Sequence, residues 1–324
     1  MDIRTDYDII IIGGGPAGVA AGIYAGRAML RTLIVEKGPI GGMLLVVDTI
    51  ENYPGFSSIH GYELADEFEK HLRGYKVDVM RSPVETLTIE GNNSPCKTVR
   101  TEKGTIIAPA VIIATGGTPK PLQVERYFSF LGRGISTCAI CDAGFFKGKK
   151  IAVIGGGDAA VDEAIYLSNF ADTLYLVHRR DKLRAEKILQ ERLISNPKVN
   201  ILWDTVLEGI LGDEAVEGIR VRNLKTRLVS EIEVSGIFNY TGHRPNIDFV
   251  KIDIQTNDKG YIITDTHMRT NVPGIFAAGD VRAGTYRQAV IAAGEGAIAA
   301  LTAEQYIRAE FKHEPPSGPV ETGE

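Results

Sequence analysis

Cysteine is scarce, with three in 324 residues. That excludes the disulfide-dense framework of a small secreted domain and fits a reducing compartment in which thiols are kept for chemistry, so a cytoplasmic location is expected. An excess of positive charge is missing too. The 36 Lys and Arg are outnumbered by 41 Asp and Glu, for a net charge of −5, so no general basic field exists to hold nucleic acid or an anionic membrane. Any anion site must be local. Unbroken apolar runs of membrane length are absent as well. Residues 9–26 form an uncharged stretch, but Gly13, Gly14, Gly15, Pro16 and Gly18 interrupt it, and Asp6 and Asp8 stand where a signal peptide carries positive charge. Neither a membrane span nor a leader is expected.

What is present is an ordinary globular composition, 44% hydrophobic and 24% charged, in a length that suits two domains. Residues 7–12 read as a strand buried on both faces, followed by a glycine turn, a helical pattern over 19–27 and a second strand over 32–36. The same βαβ plan recurs as strand 150–154, turn 155–160, helix 161–169 and strand 173–177. Strand-like segments follow each copy, at 84–88, 97–101 and 105–114, and again at 218–223 and 231–240. Each series ends in Thr-Gly, at Thr115 with Gly116 and at Thr241 with Gly242. Strand-like 261–264 and 274–278 and a long alanine-rich helix over 287–309 match neither copy, and a lone strand and helix cannot bury a core of their own. The expected fold is therefore α/β, with two Rossmann-like dinucleotide-binding domains, the second inserted into the first: 1–119 with 248–324 around 120–247. The tail from His313 has little to bury and is expected to be disordered.

In the first turn Gly13, Gly15 and Gly18 occupy the G-x-G-x-x-G positions around Pro16 and Ala17, and in the second Gly155, Gly157 and Ala160 do so around Asp158 and Ala159. The first glycine makes the turn, the second lets backbone approach a pyrophosphate and the third lets helix pack on strand, with the anion on the helix N-terminus. The residue about 20 positions on meets the adenosine ribose and separates the two ligands. After Gly13 it is Glu36, followed by Lys37; a carboxylate accepts ribose hydroxyls and repels a 2′-phosphate. After Gly155 it is His178, which opens a run carrying Arg179, Arg180 and Arg184, and guanidinium forks select for that phosphate. The first site should take an ADP group without a 2′-phosphate, as in FAD, and the second NADPH.

Cys138 and Cys141 form a C-x-x-C pair close before the second glycine turn, a spacing that can bring the Cα atoms within disulfide reach. Zinc would need two further ligands of matching kind, and neither appears, so no metal is expected. Inert buried thiols are the other alternative, and the setting between two nucleotide turns favours electron transfer. Asp142 is a candidate proton donor or acceptor for the thiols, or an ordinary carboxylate at a helix start. Cys96, after the turn-like 92–95, reads as structural or exposed.

These motifs, GGGPAG at 13–18, ENYPGF at 51–56, IATGG at 113–117, CAICD at 138–142, GGGDAA at 155–160, HRRDKLR at 178–184, and AAGD at 277–280 with RQA at 287–289, resemble those of low-molecular-weight thioredoxin reductases of the bacterial and archaeal type. The resemblance runs from about Tyr7 to Ile307. It implies that Asn52, Asp280, Gln288 and Ala289 help hold FAD, and it adds Gly42, Met43, Thr115, Gly116, Gly279 and Arg287 to the flavin set and Gly242 to the NADPH set. It implies that Cys141 receives electrons from the flavin, that Cys138 attacks the protein substrate, and that Asp142 handles the proton. It also implies a homodimer acting on thioredoxin, and rotation of the inserted domain about linkers near 118–122 and 244–250. A glutaredoxin-like or peroxiredoxin-linked partner, and a flavin-bearing redox sensor, are the competing readings; a ferredoxin reductase has no use for the cysteine pair. Met43 stands where many members carry glutamine, and Ile140 where threonine is commoner.

Overall fold

A computed structural model describes residues 6–47, 49–89 and 96–311. The turn expected at 92–95 and the tail from His313 lie outside them. The described chain forms two units: one comprises residues up to Leu45, Tyr53–Thr118 and the chain from Arg244, the other Val46–Asn52 and Pro119–His243.

The first unit begins with an all-isoleucine strand, β1 (Ile9–Ile12), every residue of which is buried. Ile9 and Ile11 pack into one hydrophobic cluster, Ile10 and Ile12 into another, so the strand is covered on both faces. Pro16 starts α1 (Pro16–Arg27) ahead of the apolar periodicity that begins at Val19, because proline's fixed φ suits the first helical position and its missing N–H costs nothing there. β2 (Thr32–Glu36) pairs parallel with β1. An amphipathic helix, α2 (Gly61–Arg73), and a strand beside β2, β3 (Val77–Arg81), follow; the sequence reading had singled out neither. The single strand expected at 105–114 is two. Pro109, which cannot donate to a ladder, separates Gly104–Ala108, part of an antiparallel sheet with Lys97–Thr101 and Val84–Thr88, from β4 (Ala110–Ile113), which lies parallel to β1.

The second unit contains β5 (Ile135–Ser136), the one-turn helix α3 (Ala139–Asp142), β6 (Lys150–Ile154), α4 (Asp158–Ser168), β7 (Thr173–Val177), α5 (Lys187–Ile194) and β8 (Val199–Leu202). The segment read as a strand at 231–240 also divides. Val229–Glu233 joins an antiparallel sheet with Gly218–Asn223 and Thr205–Leu211, buried Val234 marks the change of direction, and β9 (Gly236–Asn239) lies parallel to β6. Returning to the first unit, the chain supplies β10 (Ile275–Ala277) and the 23-residue α6 (Ala289–Phe311). Residues 261–264 contribute isolated bridges at Ile262 rather than a strand.

The two parallel sheets share one plan, β10-β4-β1-β2-β3 in the first unit and β5-β9-β6-β7-β8 in the second. In both, the strand that leads into Thr-Gly lies beside the strand that leads into the glycine turn, so the turns and the Thr-Gly pairs emerge together at the carboxyl edge, where open α/β sheets bind ligands. In the first unit α1 and α6 cover one face and the antiparallel sheet the other. In the second, α4 and α5 take one face and Ile219 and Val221 of the antiparallel sheet the other. Among the described residues no helix is long and apolar enough to cross a membrane.

Candidate active site

At the carboxyl edge of the first unit the glycine turn is closed by backbone. Gly13 has φ +110°, and a Cβ on it would fall 2.4 Å from the Ala114 carbonyl oxygen; a Cβ on Gly18 would fall 1.8 Å from that of Gly13. Only glycine fits either position. The crest is open in contrast: a Cβ on Gly15 would meet nothing nearer than the Cα of Gly42, at 3.9 Å. Gly15 is also the N-cap of α1, and no side chain caps that end, so its first N–H groups remain for an anion. Glu36, at the end of β2, accepts from the N–H of Gly14 (2.7 Å) and of Gly38 (3.0 Å). Two backbone donors hold the carboxylate against the turn and leave lone pairs for ribose hydroxyls. A turn closed by backbone, an open uncapped helix end and an acceptor carboxylate fit the ADP half of FAD.

The end of β10 brings a second set to this edge. A Cβ on Gly279 would touch Ala17 at 3.1 Å, which places the Gly279 corner against the start of α1. That corner is tied down by Glu295, a residue the sequence reading did not single out. Glu295 is 8% exposed and accepts from the Gly279 N–H (2.8 Å), the Arg282 guanidinium (2.9 Å) and the Thr285 hydroxyl (2.8 Å). Its only sequence signal is that it is the one charged residue in the first 15 positions, 289–303, of the Ala289–Phe311 helix. Burial pushes the neighbouring Asp280 carboxyl up to about 6, opposed by the Arg287 guanidinium and aided by the charge of Glu295. Arg287 itself lies over the Tyr261 ring and donates to its hydroxyl (2.9 Å). Thr115 is fixed by Asn246, donating to its carbonyl (2.6 Å) and accepting from its side-chain amide (2.9 Å).

In the second unit α4 likewise starts at an N-cap glycine, Gly157, with no side-chain cap, and a Cβ there would meet nothing within 4 Å. Past the end of β7, Arg179, Arg180 and Arg184 are all exposed, and among the described residues none has a carboxylate within ion-pair distance. The acid of the same loop, Asp181, is engaged by Lys225 (3.5 Å), which also holds Asp204 (2.9 Å). Three uncompensated guanidinium groups beside an uncapped helix fit a phosphorylated dinucleotide. His178 is different: it is buried, and its ring nitrogens face the carbonyl oxygens of Gly155 (2.7 Å) and Lys182 (3.0 Å).

Cys138 and Cys141 are joined as a disulfide with Cα atoms 5.4 Å apart. Cys138 is the N-cap of α3, its sulfur accepting from the Cys141 N–H at 3.2 Å, while the Ala139 N–H donates to the Tyr240 hydroxyl at 2.7 Å. Asp142 closes the same turn, its N–H donating to the Cys138 carbonyl. Ile140 is exposed and Cys96 buried, its thiol pushed up by that burial.

Of the flavin candidates, Gly13, Gly15, Pro16, Ala17, Gly18, Glu36, Gly42 and Gly279 thus converge, whereas Lys37 and Met43 point to the surface and Asn52 belongs to the segment grouped with the second unit.

A model of the pyridine nucleotide-disulphide oxidoreductase family matches residues 7–296. The chain is 41% identical to a thioredoxin reductase of Treponema pallidum over 94% of its own length and 98% of the relative's, and 43% identical to one of Listeria monocytogenes over 93% and 94%. Among solved structures, the thioredoxin reductase of Streptococcus pyogenes superposes with a TM-score of 0.86 at 43% identity, covering 94% of this chain and 98% of that one. A family match across most of the length, joined to relatives above 40% identity, means that the chain belongs to the pyridine nucleotide-disulphide oxidoreductases, on their thioredoxin reductase branch.

Proposed function

We propose that the protein is an NADPH-dependent flavoprotein that reduces the disulfide of thioredoxin, with FAD held by the first unit and NADPH by the second. One observation carries the reading: a closed disulfide between Cys138 and Cys141 in the unit that also presents three uncompensated arginines and an uncapped glycine turn. FAD, when bound, supplies the carrier that accepts hydride from NADPH and passes two electrons to a disulfide. The chain's own groups do the rest. Arg179, Arg180 and Arg184 bind the 2′-phosphate, and the N-terminus of α4 the pyrophosphate. Once Cys138 and Cys141 are a dithiol, the Cys141 N–H aimed at the Cys138 sulfur favours a thiolate there. That thiolate attacks the partner's disulfide, forming a mixed disulfide and expelling one thiolate of the partner. Cys141 then attacks Cys138, re-forming the bond between them and releasing the second thiol, so two electrons leave with the partner. Asp142, adjoining Cys141 on α3, exchanges the proton. The proposal extends to a homodimer acting in the cytoplasm.

The test is a coupled assay on the FAD-loaded protein with thioredoxin and NADPH. Steady NADPH oxidation that disappears in Cys138→Ser and in Cys141→Ser is the expected result. A flavin-loaded protein that consumes no NADPH, or a serine variant that still turns over, overturns the proposal.

A further inference from the structure

The loop that carries the three arginines is bolted to the glycine turn. The His178 ring, 5% exposed, bridges the Gly155 and Lys182 carbonyls at 2.7 and 3.0 Å. It lies directly on the turn, since a Cβ on Gly156 would sit 2.1 Å from its Nδ1, and the Trp203 ring meets it edge-on at 6.3 Å. Backbone continues the sheet through this residue: its N–H donates to Leu202 (3.0 Å) and its carbonyl accepts from Thr205 (2.9 Å). Two more bonds fasten the far end of the loop. The Arg184 N–H donates to the Gly156 carbonyl (2.8 Å), and the Glu186 N–H to Asp158 Oδ1 (2.8 Å).

We propose that His178 and Asp158 are positioning residues that clamp loop 178–186 onto the 155–160 turn, and that His178 is not itself a ligand of the 2′-phosphate. The inference rests on the reading that this unit binds NADPH. A ring whose two nitrogens already meet carbonyls in a buried site has no polar edge left for a phosphate. The arginines are the reverse, exposed and uncompensated. Recognition is therefore divided: guanidinium groups read the phosphate, and the clamp holds the 155–160 turn in the shape that receives the pyrophosphate. Loosening the clamp disturbs the turn, which serves NADPH and NADH alike, whereas removing an arginine disturbs only the phosphorylated ligand.

The two roles separate in equilibrium binding of NADP+ and NAD+ to the FAD-loaded protein by titration calorimetry. His178→Ala should weaken both ligands together, by about ten-fold, leaving the ratio of their dissociation constants within about two-fold of the parent's. Arg184→Ala should raise the NADP+ dissociation constant, and with it the NADP+-to-NAD+ ratio, by about ten-fold or more, with NAD+ unchanged. Asp158 is exposed, so its variants test the clamp without risk to the core. Asp158→Ala should weaken both ligands about five-fold relative to Asp158→Asn, whose side-chain oxygen still accepts from the Glu186 N–H. Loss confined to NADP+ in His178→Ala, or equal binding by the Ala and Asn variants at 158, overturns the clamp. A parent that binds NAD+ as tightly as NADP+ would instead sink the NADPH reading, with the effects of Asp158 variants on NAD+ still reporting on the clamp.

Discussion

Asp280→Asn should make the flavin-free protein more stable at neutral pH and a worse flavin binder. The folded environment raises the Asp280 carboxyl from 3.8 to about 6, chiefly through burial, with Arg287 opposing the rise and Glu295 adding to it. At about 1.4 kcal/mol per pH unit, that rise is a preference of about 3 kcal/mol for the neutral acid. Between pH 3.8 and 6 the folded chain binds more protons at this position than the unfolded chain, so stability falls as pH rises through the window and the whole cost is present above it. Asparagine keeps the shape of the neutral acid and never ionises. In urea unfolding of the flavin-free protein, the gain of Asp280→Asn over the parent should be near zero at pH 3.5 and about 3 kcal/mol at pH 7.5. A gain that is the same at both values, or an asparagine variant less stable than the parent at pH 7.5, would refute the reasoning. On the proposed reading that Asp280 helps hold the flavin, the same variant should purify with reduced flavin content, and parental flavin content would contradict that role.

Lys97 poses the opposite case of burial. It is 2% exposed and its amine is pushed down to about 8, the Cys96 sulfur pulling the other way, so the unfolded chain binds more protons between pH 8 and 10.5 and stability rises with pH across that range. Lys97→Met should therefore stabilise the protein by about 2 kcal/mol at pH 7, after allowing about 1 kcal/mol for the lost approach to Tyr306, with the gain fading by pH 10.5 in denaturant titrations; a gain that does not depend on pH contradicts this. Gly18→Ala drives a methyl group against the Gly13 carbonyl oxygen, a backbone atom that cannot swing aside. It should cost about 3 kcal/mol or more and give colourless protein, measured by thermal unfolding and by the 450 nm absorbance of the purified chain; yellow protein of parental stability would show that the turn has room the structure denies it.

Local chemistry made much of this protein legible from residues alone. Gly13 and Gly18 announce their turn because only a residue without Cβ survives so close to carbonyl oxygens, and Ile9–Ile12 announces a strand buried on both faces because it lacks any polar alternation. The cysteine pair and the arginine run were readable for the same reason: three residues apart in a turn, or within six residues just past a strand, sequence neighbours stay close in space. Packing between distant segments decided the rest. Residues 105–114 and 231–240 look continuous, yet each feeds two sheets, and which side of Pro109 or Val234 pairs with what is settled by partners far along the chain. Glu295 reads as one of three acids in an alanine-rich helix, and only the fold brings Gly279, Arg282 and Thr285 to it. His178 reads as the first member of a phosphate-binding run, but burial turns its ring inward onto two carbonyls. The sequence by itself determined which groups could do chemistry; the tertiary structure decided which of them face a ligand and which hold the others in place, because burial and hydrogen-bond partners come from residues that are neighbours only once the chain has folded.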